Sequence, residues 1–264
     1  MDHLQRVQRE FTRQARTFAS APEVTDAALT RRFVDALGDA AAGLILDVAS
    51  GPGIISAAVA ATARAVFALD LTPDMLRQAR LRCAAASRRN VAFIEGDATR
   101  LPFSPAAFDA VVTRLSVHHF SQPARAIAEM ARVLRPGGVF VLADVISSED
   151  RHESDLHNAI EVLRDPSHVR MLPLSALSSL LTEAGFRIEE QAVWERPREF
   201  AEWLAIANDP ARTAPLRTVL ATLARHDETA GIGLRLGPDT LFFFHRWALF
   251  RALKPLRSAP EGGG

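Results

Sequence analysis

The chain has 264 residues, in which 31 lysine and arginine residues balance 31 aspartate and glutamate residues. A formal net charge of zero excludes a protein-wide field that would recruit nucleic acid or an anionic membrane. The single cysteine excludes an internal disulfide and a zinc site built from several cysteines, in agreement with a reducing, cytoplasmic environment. Because no such protein-wide field exists, we expect a small molecule as the partner. The length suffices for one large α/β domain with a substantial core.

Membrane segments and leader signals are not expected. No charge-free apolar run reaches the ~18 residues that a membrane-spanning helix needs. Asp2, Arg6, Arg9 and Glu10 occupy the N-terminal stretch in which a signal peptide would carry its apolar segment. The sequence therefore predicts a soluble protein without a cleaved leader.

The N-terminal region predicts two helices. Residues 4–18 place apolar side chains on one face and arginines on another, which indicates an amphipathic helix with a solvated basic face. Residues 27–37 predict the second helix. We expect residues 1–40 to form a helical cap on the domain that follows.

Between residues 44 and 146, short apolar runs alternate with helical patterns. The predicted strands are 44–48, 65–70, 91–95, 108–113 and 138–146, and the predicted helices are 53–63, 73–86 and 123–134. This alternation requires right-handed crossovers and a parallel sheet with helices on both faces. The predicted fold class is therefore α/β, a Rossmann-like three-layer sandwich, in which ligands bind at the carboxyl ends of the strands.

The C-terminal part is harder to assign to the sheet. Residues 147–173 follow the carboxyl end of a strand and predict a helix over 155–164, so this insertion can form a lid over that edge. Further patterns predict helices over 174–184, 199–207 and 211–226, and strands over 186–194 and 240–250. We expect a single domain over 1–256 and a disordered tail over 257–264.

The strongest local pattern is the stretch Leu44–Gly53. Its apolar run ends in a turn that contains Gly51 and Gly53 and leads into a helix. Glycine permits a positive φ and lets a ligand lie against bare backbone, and the amide groups at a helix start favour a polar or anionic group. Ser56 replaces the third glycine of a Gly-x-Gly-x-x-Gly motif, so a purely steric role for these glycines stays open.

Two carboxylates follow the next two predicted strands. Asp70 ends the second strand about twenty residues beyond the turn, where a nucleotide ribose would need a hydrogen-bond acceptor. Asp97 comes directly after the third strand. Helix capping or a loop ion pair is the alternative for each of them, but carboxylates at successive strand ends favour a nucleotide site.

Six stretches then carry a family resemblance. They are Asp47–Gly53, Ala68–Leu76, Gly96–Phe103, Phe108–Arg114, Ser116–Phe120 and Arg132–Gly138. Together they resemble the class I S-adenosylmethionine-dependent methyltransferases, in particular the small-molecule branch related to ubiquinone- and menaquinone-biosynthesis methyltransferases. The resemblance covers residues 10–146 well and weakens beyond them. It implies a mostly parallel sheet closed by one antiparallel strand, and S-adenosyl-L-methionine as the cofactor with S-adenosyl-L-homocysteine as its product.

The resemblance also implies which residues hold the cofactor. Asp47 would face the methionine amino group, and Asp70 would accept both ribose hydroxyls. The other implied contacts are the backbone of Ala49, Gly51 and Gly53 and the side chains of Thr113 and Arg114 at the methionine end, Leu71, Met75, Asp97 and Ala98 around the adenine, and Phe18 or Gln14 from the first helix.

His118 and His119 are the candidates for catalysis, just past the fourth strand. Methyl transfer from a sulfonium is an in-line displacement whose rate comes largely from positioning in a dry pocket. A base is needed only when the nucleophile is a hydroxyl or a protonated amine, and histidine suits that task. In the family this histidine pair also serves to hold the shape of its loop, so both roles stay open.

Three histidines fall in the expected lid. His152 and His157 are five residues apart, a spacing that does not place them on one helical face, and no cysteine completes a metal set, so we expect no metal. His168 and Arg170 suit polar contacts with a substrate, although exposed loop positions explain them equally well.

The expected activity is methyl transfer from S-adenosylmethionine to an oxygen, nitrogen or carbon nucleophile of a small organic acceptor, a biosynthetic intermediate, by a monomer or homodimer. A nucleotide-dependent oxidoreductase and an inactive module that binds S-adenosylmethionine stay open as alternatives. The absence of tyrosine excludes the tyrosine–lysine pair of short-chain dehydrogenases. A nucleic-acid methyltransferase is disfavoured, because Thr113–Ser116 stands where amino-methylating enzymes carry an Asn-Pro-Pro-Tyr type signature.

Overall fold

The computed structural model describes residues 1–238 and 240–256, and the tail expected over 257–264 lies outside them. The helices are α1 (His3–Ser20), α2 (Pro22–Thr25), α3 (Ala27–Asp35), α4 (Ile54–Val59), α5 (Pro73–Ala85), α6 (Pro123–Val133), α7 (Arg151–Arg164), α8 (Leu174–Glu183), α9 (Phe200–Ile206) and α10 (Pro210–Arg225). The strands are β1 (Leu44–Val48), β2 (Ala65–Asp70), β3 (Val91–Glu95), β4 (Phe108–Arg114), β5 (Leu134–Ile146), β6 (Arg187–Glu199), β7 (Arg235–Leu236) and β8 (Leu241–Leu253). Among the described residues, no helix is both long and apolar enough to cross a membrane.

The strands form one sheet in the order β3-β2-β1-β4-β5-β8-β6, with the short β7 paired to β8. Strands β1 to β5 pair in parallel, whereas β8 runs antiparallel to both of its long neighbours, β5 and β6. This confirms the predicted Rossmann-like α/β sandwich with a mostly parallel sheet and one antiparallel strand. The register places Val48 beside Leu69 of β2 and Thr113 of β4, so the carboxyl ends of three strands meet at one edge.

The central strands are buried on both faces. Leu46 of β1 belongs to the apolar core on one side of the sheet, together with Met130 of α6. Its neighbour Ile45 belongs to the core on the other side, together with Phe33 of α3 and Val59 of α4. A strand that packs against helices on both faces needs apolar residues at every position, which is why these strands appear in the sequence as continuous apolar runs.

Several elements extend beyond their predicted bounds. Strand β5 begins at Leu134, where it pairs with Phe108 ahead of an irregularity in the register, instead of beginning at 138. Helix α7 begins at Arg151 instead of 155, because the Asp150 carboxylate caps it by accepting from the Glu153 N–H at 3.0 Å. Strand β6 reaches Glu199 instead of 194, because it pairs along nearly the whole of β8.

A helical layer covers the carboxyl edge of the sheet. Its apolar core joins Ile160 of α7 with Trp203 of α9, Leu220 of α10 and Phe243 of β8. The lid expected over 147–173 therefore packs against residues that come much later in the chain. Burial of Trp203 and its neighbours holds this layer in place by removing large apolar surfaces from water.

Candidate active site

The turn after β1 is held in an unusual backbone conformation. Ala49 has a φ of +54°, which is uncommon for a residue with a side chain, and Gly51 has a φ of +52°. The Ser50 N–H donates to the Leu69 carbonyl at 3.0 Å, which anchors the turn to the end of β2. The turn therefore lies at the carboxyl ends of the strands, with its backbone facing a cavity.

This first cavity, the glycine-turn cavity, has an empty volume of about 1000 Å³. It lies between the carboxyl ends of β1, β2 and β4 and the inner face of α1. Ten of the residues expected to bind the cofactor line it: Phe18, Asp47, Ala49, Gly51, Asp70, Leu71, Met75, Asp97, Ala98 and Arg114.

Gly53 is also expected to contact the cofactor, but the structure gives it a packing role. It precedes α4 with a φ of +73°, and a Cβ atom built on it would lie 2.7 Å from the Cβ of Ala79 on α5. The absence of a side chain therefore lets α4 and α5 approach each other. Gly53 is not among the residues that line the cavity.

We expect Gly53→Ala to lower the free energy of unfolding by about 3 kcal/mol, because it combines an unfavourable φ with a steric overlap. Gly38→Ala is the matched control: Gly38 has a φ of +53°, but nothing lies within 4 Å of a Cβ built on it. That control should cost about 1 kcal/mol. Urea unfolding of both variants measures the difference, and equal losses would remove the packing argument.

Two buried carboxylates face the glycine-turn cavity. Asp47 is 2% exposed and accepts from the Ser56 hydroxyl at 2.5 Å. Burial raises the pKa of Asp47 to about 7. Asp70 accepts from the N–H groups of Gly51 and Thr72, each at 2.8 Å, and burial raises its pKa to about 6 despite these hydrogen bonds. Each Asp70 oxygen keeps a further lone pair for a ligand.

Asp97 and Arg114 complete the polar lining. The Asp97 carboxylate accepts from the N–H of Thr99 at 2.8 Å and from its hydroxyl at 2.7 Å. Arg114 donates through Nη2 to the Val24 carbonyl at 2.7 Å, whereas its buried Nη1 has no hydrogen-bond partner among the described residues. Burial lowers the pKa of Arg114 to about 10, so the guanidinium stays charged near neutral pH. Its free Nη1 is suited to an anionic group of a ligand.

Two other residues that we expected to contact the cofactor lie elsewhere: Thr113, expected at the methionine end, and Gln14 of α1. Thr113 is fully buried and donates to the Val48 carbonyl at 2.8 Å, and it does not line the glycine-turn cavity. Gln14 donates to the Asp165 carboxylate at 2.9 Å and lines a second cavity.

Helix α1 forms the outer wall of the glycine-turn cavity. It is attached to the domain at several points: His3 Nε2 lies 2.8 Å from the His119 carbonyl, Gln8 donates to the Leu71 carbonyl at 2.9 Å, and Arg82 donates to the Ala19 carbonyl at 2.6 Å. These bonds hold the apolar face of α1 across the strand ends. The cavity is thereby shielded from solvent on that side.

A second cavity, the histidine cavity, lies next to the first and has an empty volume of about 590 Å³. The two cavities share the residues Phe11, Phe18, Val24, Leu115 and His119. The other residues of the histidine cavity are Gln14, Glu23, His118, Val145, Glu161, Arg164, Asp165, His168, Met171, Arg198, Trp203, Ile206 and His245. Most of its polar lining comes from α7, its following loop and the C-terminal strands.

His118 forms a dyad with a buried carboxylate. Its Nδ1 lies 2.5 Å from Oδ1 of Asp144, and the other Asp144 oxygen accepts from the Val117 N–H at 2.8 Å. Burial opposes protonation of His118, but the charge of Asp144 and the hydrogen bond outweigh it, so the pKa of His118 is raised above 6.5. With Nδ1 held by Asp144, the ring presents Nε2 as the free proton acceptor.

His119 is in a different environment. Its Nδ1 lies 3.1 Å from the Ser167 carbonyl, and its ring packs edge-on against Phe11 with the ring centroids 4.8 Å apart. Burial lowers the pKa of His119 to about 4, and the neighbouring His118 adds to that effect. His119 therefore stays neutral near pH 7 and stands at the boundary between the two cavities.

The other polar residues singled out in the expected lid lie in different environments. His152 is exposed and lies 3.2 Å from the Glu228 carboxylate on the surface, far from either cavity lining. His168 is buried, lines the histidine cavity and bonds to Asn158 at 2.7 Å. Arg170 pairs with Asp155 near the surface instead of lining either cavity.

Several residues that line the histidine cavity, or that hold a lining residue in place, were not predicted from the sequence. Asp144, Glu161, His245 and Arg198 come from β5, α7, β8 and β6, which lie far apart in the chain. A signal was present for two of them: Asp144 is a lone polar residue between apolar neighbours in β5, and His245, followed by Arg246, interrupts the apolar run of β8. A buried polar group in such a strand needs a partner, which makes it a candidate functional residue.

Comparison with known proteins agrees with this architecture. The family described as Methyltransferase domain matches residues 46–142. The chain is 31% identical to the uncharacterized methyltransferase YcgJ of Bacillus subtilis (strain 168) over 167 residues, 63% of this chain and 66% of that protein. The crystal structure of YcgJ matches with a TM-score of 0.79 and 26% identity, covering 86% of this chain and 97% of that one.

Two further relatives extend the comparison. The chain is 34% identical to the uncharacterized protein YafE of Escherichia coli (strain K12) over 146 residues, 55% of this chain and 70% of that protein. It is 40% identical to the demethylmenaquinone methyltransferase of Renibacterium salmoninarum over 114 residues, 43% of this chain and 46% of that protein. The chain thus spans less than half of that enzyme and about two thirds of YcgJ.

Fold, cavity and relatives together define the class of protein. The chain belongs to the class I S-adenosylmethionine-dependent methyltransferases. The resemblance drawn from the six sequence stretches is confirmed, and so is the expectation that the protein is an enzyme of this kind.

Proposed function

We propose that the protein transfers a methyl group from S-adenosylmethionine in the glycine-turn cavity to a small organic acceptor, a biosynthetic intermediate, in the histidine cavity. The observation that carries this proposal is that the two cavities adjoin, since Phe11, Leu115 and His119 line both of them. A donor in one cavity and an acceptor in the other would meet at this boundary, in a site from which water is largely excluded. One chain supplies both cavities, so the proposed reaction needs no second subunit.

The cofactor assignment follows from the shape and polarity of the glycine-turn cavity. Asp70, at the end of β2, has free lone pairs for the ribose hydroxyls, and Asp97, with Ala98 and the apolar Leu71 and Met75, would hold the adenine. At the other end, Asp47 would accept from the methionine ammonium. When bound there, the cofactor supplies an electrophilic methyl group on a sulfonium.

The free guanidinium nitrogen of Arg114 is the best evidence for the methionine end. Burying a donor without a hydrogen bond costs about 1–3 kcal/mol, so an unpartnered Nη1 calls for a ligand. A carboxylate would satisfy Arg114 while the adjacent ammonium satisfied Asp47. Ala49 and Gly51 would present backbone to the same end of the cofactor, and Phe18 would cover it from α1.

The raised pKa of Asp47 makes cofactor binding dependent on pH. In the free protein Asp47 titrates near pH 7, whereas a bound ammonium favours its ionised form. Binding therefore releases a proton below about pH 7, and the Kd of S-adenosylhomocysteine should fall by up to tenfold per unit as the pH rises from about 5 to about 7, then level off. Isothermal titration across this range measures the effect.

Asp47 and Asp70 make the stability of the free protein depend on pH in the opposite direction. The folded state retains protons on Asp47 and Asp70 that the unfolded state loses near pH 4, so the free energy of unfolding should fall as the pH rises from about 4 to about 7. Stabilisation by S-adenosylhomocysteine should grow over the same interval. A Kd that does not change between about pH 5 and about pH 7 would contradict the assignment of Asp47.

For the acceptor, the histidine cavity favours a polar molecule of modest size. Its lining carries the charged groups of Glu23, Glu161, Asp165, Arg164 and Arg198. We infer that His118 is the proton acceptor when the nucleophile is a hydroxyl or a protonated amine, because Asp144 holds its Nδ1 and leaves Nε2 free.

His119 would keep the loop in place through its bond to the Ser167 carbonyl and would help to position the acceptor beside the methyl group.

The first experiment is a thermal-shift comparison of S-adenosylhomocysteine with NAD(H) and NADP(H). We expect stabilisation by S-adenosylhomocysteine only, whereas stabilisation only by nicotinamide nucleotides would support the oxidoreductase alternative. The second experiment incubates the protein with methyl-labelled S-adenosylmethionine and a library of small hydroxyl, amine and activated-carbon compounds. Binding without transfer to any of them would favour the inactive-module alternative.

A further inference from the structure

We propose that His157, Glu161 and His245 form a binding site for a divalent transition-metal ion at the back of the histidine cavity. One ligand atom from each of these residues lies within 4.8 Å of the other two. His157 and Glu161 lie one helical turn apart on α7, and His245 comes from β8. All three are buried, and together they offer one carboxylate and two imidazoles to an ion.

Unpartnered atoms around these residues are the main observation. Nε2 of His157, Nδ1 of His245 and Oε1 of Glu23 are buried without a hydrogen-bond partner in the described part of the chain. Buried polar atoms are normally paired, so several of them at one place indicate a missing group. An ion bound by His157 Nε2 and His245 Nε2 would satisfy the first atom directly. It would also fix the proton of His245 on Nδ1, which faces Glu23 Oε1.

The contacts of His245 show how an ion could satisfy these atoms. Its Nε2 lies 3.1 Å from Glu161 Oε1, and its Nδ1 lies 3.7 Å from Glu23 Oε1. If Nε2 binds the ion, Nδ1 carries the proton and can donate to Glu23 after a small approach. A histidine that binds a metal almost always donates its other ring N–H to a carboxylate or carbonyl in this way. His157 Nε2, 4.0 Å from Glu161 Oε1, then completes the set.

Two arginines hold the carboxylates of Glu161 and Glu23 by ion pairs. Arg164 Nη2 lies 2.8 Å from Glu161 Oε2, and Arg198 pairs with Glu23 Oε2, so the remaining oxygen of each carboxylate is directed to the cluster. Trp203 Nε1 also donates to Glu161 Oε1 at 3.2 Å. The two guanidinium groups reduce the attraction for a cation, so we expect micromolar affinity instead of the tighter binding of structural zinc sites.

The donor set limits the class of ion. Two imidazoles and one carboxylate suit Zn²⁺, Fe²⁺, Co²⁺ or Mn²⁺, whereas Mg²⁺ and Ca²⁺ prefer oxygen ligands. Ligand atoms about 2.1 Å from an ion are about 3–3.5 Å apart, so the His157 ring, whose Nε2 lies 4.0 Å from Glu161 Oε1, has to move towards the other two ligands. Glu161 and His245 line the cavity, which leaves open positions facing it. There, if the proposed methyl transfer is correct, the ion would orient an acceptor through an oxygen or nitrogen donor.

The test uses the full chain without a histidine tag, treated with a chelator and then titrated with Co²⁺ and Zn²⁺. We expect one equivalent of metal per chain by isothermal titration, and a Co²⁺ absorption band typical of nitrogen and oxygen ligands. His157→Gln and His245→Gln should each weaken binding by at least about 100-fold. His152→Gln, at an exposed histidine of the same helix, should bind like the parent protein.

Folding of each variant is checked by its thermal shift with S-adenosylhomocysteine, which reports on the other cavity. Glu23→Gln is a milder variant, because glutamine still accepts from Nδ1 of His245 while the charge is lost, and it should weaken metal binding by about tenfold. Absence of stoichiometric binding by the parent protein would overturn the proposal, as would unchanged binding by both histidine variants. Either result leaves the shift with S-adenosylhomocysteine intact, so failure of the metal site is distinguishable from failure of the proposed methyl transfer.

Discussion

Replacing Asp70 by asparagine is expected to weaken the binding of S-adenosylhomocysteine by about 100-fold. Asp70 accepts from the N–H groups of Gly51 and Thr72 and, in our proposal, from both ribose hydroxyls. Asparagine is of the same size, but its NH₂ group must face one of these donors, and the charge that strengthens the other bonds is lost. A loss of about 3 kcal/mol corresponds to that factor. Isothermal titration at pH 7.5 or above, where Asp70 is ionised, measures it.

Asp74→Asn serves as the control for this prediction. Asp74 lies in the first turn of α5, four residues along the chain, and pairs with Arg77 instead of facing the cofactor cavity. Its replacement should change the Kd less than about twofold. Because ionised Asp70 is itself costly to bury, Asp70→Asn should leave the melting temperature of the free protein within a few degrees of the parent. A Kd within about threefold of the parent would remove Asp70 from the ribose site.

Replacing His118 by glutamine is expected to lower kcat by about 10²–10⁴-fold with an acceptor that loses a proton. The Kd of S-adenosylhomocysteine should stay unchanged, because His118 lines the histidine cavity and not the glycine-turn cavity. The acceptor is the one that the labelled-methyl screen returns. His226→Gln, at an exposed histidine at the end of α10, should retain the parent kcat.

The pH profile separates a base from a merely structural histidine. His118 must be neutral to accept a proton, so the rate should rise with pH through its pKa, which Asp144 raises above 6.5. Asp144→Asn removes the charge that raises this pKa, so the rising limb should move to lower pH while the plateau falls. If His118→Gln keeps kcat within about fivefold, or if Asp144→Asn leaves the limb in place, His118 is not the base.

The proposed metal site involves residues that the sequence does not bring together. His152 and His157 were compared with each other, and their spacing gave no common helical face. The residue that His157 meets on its own helix is Glu161, one turn further on, and the third member is His245, 84 residues beyond Glu161 in the chain. The spacing of His157 and Glu161 is that of one helical turn, whereas His245 is not apparent until β8 is placed beside β5.

Much of the fold could be predicted from local patterns. Strands β1, β2 and β3 have their predicted bounds because each is a short, mostly apolar run between turn residues. Strand β5 was predicted too short because its first residues precede a glycine pair that resembles a helix stop. Pairing with β4 decided that boundary, and pairing is not a local property.

The sequence by itself determined the order of strands and helices, the turn at Gly51 and the carboxylates that follow β2 and β3. These features depend on neighbours within about twenty residues, and side-chain chemistry and backbone preference express them directly. Only the tertiary structure decided which polar groups share the histidine cavity, that Asp144 holds His118, and that Gly53 packs against α5. The physical reason is that burial makes unpaired polar groups costly, and their partners come from whichever distant element the packing of the sheet brings close.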